Sequence, residues 1–121
     1  MTAATPSATV DLSALPPYAL ALKERIAYLP EAQIDRVLRA FQLGAQAHAG
    51  QERKSGEPYI THPVAVAGIL AELGLDAETI IAAILHDTLE DTELSRETLA
   101  TEFGEVVAEL VDGVTKLDKM R

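Results

Sequence analysis

The sequence predicts an all-α fold, on three observations. Most of the chain carries apolar residues at helical spacing, and no segment makes a convincing strand. Apolar residues make up 48% of the 121 and aromatics only 4%, with no Trp, so the core must be assembled from Ala, Leu, Ile and Val. Such a composition suits helices packed closely on small side chains. No Cys is present, which removes disulfides, thiolate metal sites and a thiol nucleophile. The length suits one modest domain.

Taken in order, residues 1–17 are rich in Ala, Thr, Ser and Pro and read as a flexible tail, with the domain proper at 18–121. Tyr18 to Leu29 carries Leu20, Leu22, Ile26 and Leu29, a short helix stopped by Pro30. Glu31 to His48 is the clearest amphipathic helix, with Ile34, Val37, Leu38, Phe41 and Ala45 on one face. Gly50 sits where a helix C-cap glycine would. The block AGQERKSGEPYITHP, with two Gly and two Pro, must be a loop. Pro63 reads as the first-turn proline of a helix running to about Glu72. Asp76 caps a helix from Ala77 to about Asp91, whose stretch Ile80 to Leu85 is apolar all round and therefore central. Ser95 caps a helix to Phe103. After Gly104 a last helix carries Val106, Val107, Leu110, Val111, Val114 and Leu117.

Ten basic residues against 19 acidic leave a net charge of −9, which argues against a duplex-binding surface. One local basic pocket for a small anion remains compatible with it. The longest apolar stretch, Pro63 to Ala71, is far short of the ~20 residues of a membrane span. The N-terminus has neither a basic n-region nor an apolar h-region. The expected address is the cytoplasm.

Chemistry concentrates at Leu85-His86-Asp87-Thr88-Leu89-Glu90-Asp91. Six apolar residues lead into four ionisable groups in six positions, and no Lys or Arg lies on this helix. Buried carboxylates need positive compensation. A divalent cation would supply it, since imidazole and carboxylate are ordinary ligands; alternatively the helix emerges into water and its charges are hydrated. His62, beside Pro63, is either a packed or capping histidine or a third ligand from a neighbouring helix. His48, in the last turn of its helix, reads as structural, a partly cationic ring suiting the helix dipole. Arg53 and Lys54, followed by Ser55-Gly56, are either a solvated loop tip or a mouth that receives an anion or stacks a base. Glu93 and Glu97 read as solvated charges.

The segments RKSGEPYITHP, HDTLEDT and GVTKLDK, in that order, closely resemble the N-terminal hydrolase domain of the RelA/SpoT family, within the HD-domain phosphohydrolases. The resemblance covers roughly residues 30–121 and implies a helical bundle of the HD type. It also implies removal of pyrophosphate from the 3′ position of guanosine tetra- or pentaphosphate, with Mn²⁺ held by a His…His-Asp…Asp set. His62, His86 and Asp87 match the first three ligands. Glu90 and Asp91 match the acidic pair that activates water and handles protons. Arg53, Lys54 and Ser55 match the loop that holds guanine, with Tyr59 a further candidate for that pocket. The intact His86-Asp87 and Glu90-Asp91 imply a hydrolase-competent or bifunctional parent. The fourth ligand is expected beyond Arg121, so the chain reads as an N-terminal fragment. The partner implied is a small-molecule nucleotide, with no nucleic acid and no membrane. Self-association through exposed Val111, Val114 and Leu117 is a further expectation. The competing readings are an HD phosphohydrolase on another nucleotide, and an inactive alarmone-binding or regulatory module.

Overall fold

The computed structural model describes residues 15–119, leaving aside the side chains of Glu90 and of 117–119. Most of the expected tail, residues 1–14, lies outside the described residues. Among the described residues are seven helices and no strand: α1 Pro17–Arg25, α2 Glu31–Ala47, α3 Thr61–Glu72, α4 Ala77–Leu85, α5 Thr88–Asp91, α6 Arg96–Phe103 and α7 Glu105–Lys119. The all-α prediction holds, and α4 is the central helix, packed against α2, α3 and α7. Ile80, Ile81, Ile84 and Leu85 are fully buried. Each such side chain contributes roughly 1.5–3 kcal/mol by leaving water. Asp76 caps α4 by accepting from the Thr79 amide, and Ser95 caps α6 by accepting from the Thr98 amide.

α1 packs on α3. It buries Ala19 and Leu22, while Ile26 and Leu29 are buried in the turn that follows. Leu20, predicted on the apolar face, points outward. α2 buries Val37, Leu38 and Phe41 as predicted. Its cationic edge ties it to the second half of the chain: Arg36 donates to Glu78 at 3.2 Å and to the Phe103 carbonyl at 2.7 Å. Arg39 pairs with Glu102 and lies over the Phe103 ring. Gly44 leaves room on α2 for the side chain of Ile60, the residue before α3, and for α4, since a Cβ there would stand 3.0 Å from Ile60 Cδ1 and 3.6 Å from Leu85. Gly50, at φ +87°, takes the left-handed conformation that closes the turn after α2.

Three local expectations are corrected. α3 begins at Thr61, inside the block expected to be loop, so His62 lies in its first turn, and Pro63, its third residue, is the first-turn proline expected. First-turn amides have no intrahelical acceptor, so proline is tolerated there. The helix predicted over 77–91 is interrupted at His86-Asp87. There the Thr88 hydroxyl donates to the Leu85 carbonyl at 2.7 Å, while the Thr115 hydroxyl of α7, which donates to the Val111 carbonyl at 2.9 Å, lies 3.4 Å from the His86 carbonyl. A side-chain donor thus serves the Leu85 carbonyl at the interruption. On α7, Val111 is buried rather than exposed, whereas Val106, Leu110 and Val114, spaced four apart, are 61%, 39% and 42% exposed. The Leu117 side chain lies outside the described residues.

Candidate active site

The loop between α2 and α3 folds back on itself. Glu52 and Pro58 form an isolated antiparallel bridge, the Arg53 amide donates to the Glu57 carbonyl, and the Gly56 amide donates to the Arg53 carbonyl. Arg53, Lys54 and Ser55 are thereby held at an exposed tip. Arg53 is weakly engaged by Glu57 at 3.8 Å, an exposed pair that water screens. Glu52, Arg53, Lys54, Ser55, Tyr59 and His62 line a cavity of about 580 Å³. The four residues assigned to base binding and one assigned to the metal therefore share one wall. Glu52 was not singled out by the sequence; a lone acidic loop residue carries no pattern that would do so.

The helix interruption presents His86 and Asp87 together, both half-buried. His86 Nδ1 lies 2.7 Å from the Ala83 carbonyl oxygen. A carbonyl only accepts, so Nδ1 carries a proton, and in the neutral ring Nε2 holds the lone pair. That Nε2 faces Asp87 Oδ1 at 3.2 Å. Two lone-pair acceptors at this distance repel unless a proton or a cation serves both. An imidazole pinned through its far nitrogen to a backbone carbonyl is also the usual arrangement of a metal-ligating histidine. The donor set fits a divalent ion.

Asp87 Oδ2 accepts from the Tyr59 hydroxyl at 2.5 Å. Burial, then this bond and the charges of Asp87 and Asp91, push the Tyr59 phenol well above its ordinary pKa. The Tyr59 ring meets His62 edge-on at 6.4 Å. Among the described residues no three His, Cys, Asp or Glu side chains are grouped closely enough to share an ion. The predicted trio of His62, His86 and Asp87 is thus present as one adjacent pair, with His62 reached through Tyr59. The Asp91 side chain is exposed, and its main-chain carbonyl accepts from Gln51 Nε2 at 2.9 Å. The Glu90 side chain lies outside the described residues.

His48 is structural, but not for the predicted electrostatic reason. It is 2% exposed, stacks on Tyr59 at 4.7 Å, and places Nδ1 3.0 Å from Gln51 Oε1. Its Nε2 has no hydrogen-bond partner among the described residues, so a proton there would be stranded. The packing supports the tautomer that donates from Nδ1. Gln51 escaped the sequence reading because its role needs two partners, His48 and Asp91, on different elements.

This combination, a His-Asp pair at the end of a buried helix in an all-α bundle, defines an HD-type domain. The chain belongs to the HD domain family, whose model matches residues 40–121. It is 58% identical over 94 residues to the bifunctional (p)ppGpp synthase/hydrolase SpoT of Escherichia coli K12, covering 78% of this chain and 13% of the relative. It is 59% identical over 86 residues to a GTP pyrophosphokinase of Streptomyces coelicolor, covering 71% and 10%. It is 50% identical over 100 residues to the guanosine-3′,5′-bis(diphosphate) 3′-pyrophosphohydrolase of Aquifex aeolicus, covering 83% and 14%. The chain thus spans at most about a seventh of the length of these curated relatives. Among the described residues no helix is long and apolar enough to cross a membrane.

Proposed function

We propose that residues 18–121 belong to a metal-dependent 3′-pyrophosphohydrolase domain acting on guanosine tetra- or pentaphosphate. One water is consumed, the bond between the 3′ oxygen and phosphorus breaks, and pyrophosphate leaves with GDP or GTP as the other product. The observation that carries the reading is the His86–Asp87 pair, with Nδ1 pinned to Ala83 and Nε2 turned to the carboxylate, next to a basic cavity. The names of the relatives from Escherichia coli and Aquifex aeolicus support the substrate.

His62, His86 and Asp87 would hold the ion, Mn²⁺ by the family resemblance. When bound, it neutralises phosphate charge and lowers the pKa of water toward ~7. Arg53 stacks on the guanine and neutralises charge, and Lys54 and Ser55 hold its edge. Glu90 and Asp91 accept the proton released by the attacking water and return one to the 3′ oxygen. The domain works in the cytoplasm, and the Val106–Leu110–Val114 face of α7 favours self-association.

The test is pyrophosphate release from guanosine tetraphosphate, with Mn²⁺ and with EDTA, by this chain and by a longer piece of its parent. Mn²⁺-dependent release by either supports the reading. Nucleotide binding without release by both would favour a regulatory alarmone-binding module, a reading that the absence of a closed three-ligand group among the described residues keeps in view.

A further inference from the structure

We propose that Tyr59 is a positioning residue whose hydroxyl sets the orientation of the Asp87 carboxylate, rather than a contact for the guanine base. The proposal rests on the metal-dependent reading above. The hydroxyl donates to Asp87 Oδ2 at 2.5 Å across 28 residues of sequence, from the loop to the helix interruption. Bonds of an O–H to a carboxylate at this length are the strong, charge-assisted kind. With Oδ2 so held, Oδ1 is the oxygen turned toward His86 Nε2. Without that bond the carboxylate can rotate about its own side-chain torsions, because Asp87 sits at the interruption between α4 and α5.

The phenol is itself held in place. Its ring stacks on the buried His48 at 4.7 Å and 35°, and meets His62 at 6.4 Å and 69°. Its amide donates to the Gln51 carbonyl at 2.9 Å, and its carbonyl accepts from the His62 amide at 3.1 Å. The ring therefore forms cavity wall while its one hydroxyl proton is committed to Asp87. A carboxylate held by such an outer partner typically loses 10–100-fold in metal affinity when the partner is removed.

Tyr59→Phe removes the hydroxyl and keeps the ring. Mn²⁺ affinity of the 121-residue chain is read from loss of the free-ion electron paramagnetic resonance signal, and GDP affinity in EDTA from calorimetry. Tyr59→Phe is expected to weaken Mn²⁺ binding about 10–100-fold and to leave metal-free GDP binding unchanged. Unchanged Mn²⁺ affinity with weakened GDP binding would overturn the proposal and return Tyr59 to the base pocket. If neither the 121-residue chain nor a longer piece of its parent binds Mn²⁺, the metal reading fails separately. The ¹³Cζ resonance of Tyr59 in metal-free protein then decides the contact: a shift in Asp87→Asn supports it, and none overturns it.

Discussion

The interruption between α4 and α5 is what presents His86 and Asp87 side by side, and Thr88 is expected to hold it. Thr88 is fully buried and its hydroxyl donates to the Leu85 carbonyl at 2.7 Å. Thr88→Val keeps the volume and the branching, so it leaves no cavity and isolates the hydroxyl. The lost bond leaves a carbonyl without that donor beside the fully buried Leu85, at a cost of about 1–3 kcal/mol. In a domain of this size that lowers Tm by roughly 4–8 °C per kcal/mol. Thr88→Ser keeps the hydroxyl and loses one methyl, about 0.8 kcal/mol by transfer, so it should be the milder variant. Thermal and urea unfolding measure the order, and amide exchange at residues 86–89 reports the local opening. If Thr88→Val matched or exceeded the wild type while Thr88→Ser fell, the hydroxyl would not be holding the interruption.

Three further outcomes are expected. Arg53→Ala in a catalytically competent form should mainly raise KM, because it removes binding rather than chemistry, whereas Asp87→Ala should abolish turnover and Mn²⁺ binding; steady-state kinetics and calorimetry separate the two. The Thr79 hydroxyl and amide hold the Asp76 carboxyl below its ordinary pKa. Its capping contribution is therefore fully present above about pH 4 and is lost as pH falls through the lowered value. Asp76→Ala should cost about 0.5–2 kcal/mol at pH 7, with the gap to wild type closing in urea unfolding toward pH 2. Leu110→Glu with Val114→Glu should leave the fold intact and render the chain monomeric by light scattering; a wild type that is already monomeric at high concentration would remove the case for self-association.

The sequence was enough for the class of fold, because apolar residues at helical spacing and the caps Asp76 and Ser95 are local features that a helix reads directly. It also singled out the His-Asp pair and the basic loop as candidates, whose residue types stand out against their neighbours, with their roles implied only by the family resemblance. Tertiary structure alone decided the rest. Periodicity runs unbroken from Ala77 to Asp91, yet the helix stops at His86-Asp87, where the buried Thr88 hydroxyl donates to the Leu85 carbonyl. The family resemblance made Tyr59 a candidate for the base pocket, and only the fold shows its hydroxyl donating to Asp87, 28 residues away. His48 looked like a helix-dipole cation until packing buried it against Tyr59. At Thr88 the bond spans only three residues, but whether a threonine hydroxyl is buried on a carbonyl or solvated is decided by the packing around it. For Tyr59 and His48 the deciding partner comes from another element, and a local pattern carries no record of which distant donor, acceptor or ring will arrive.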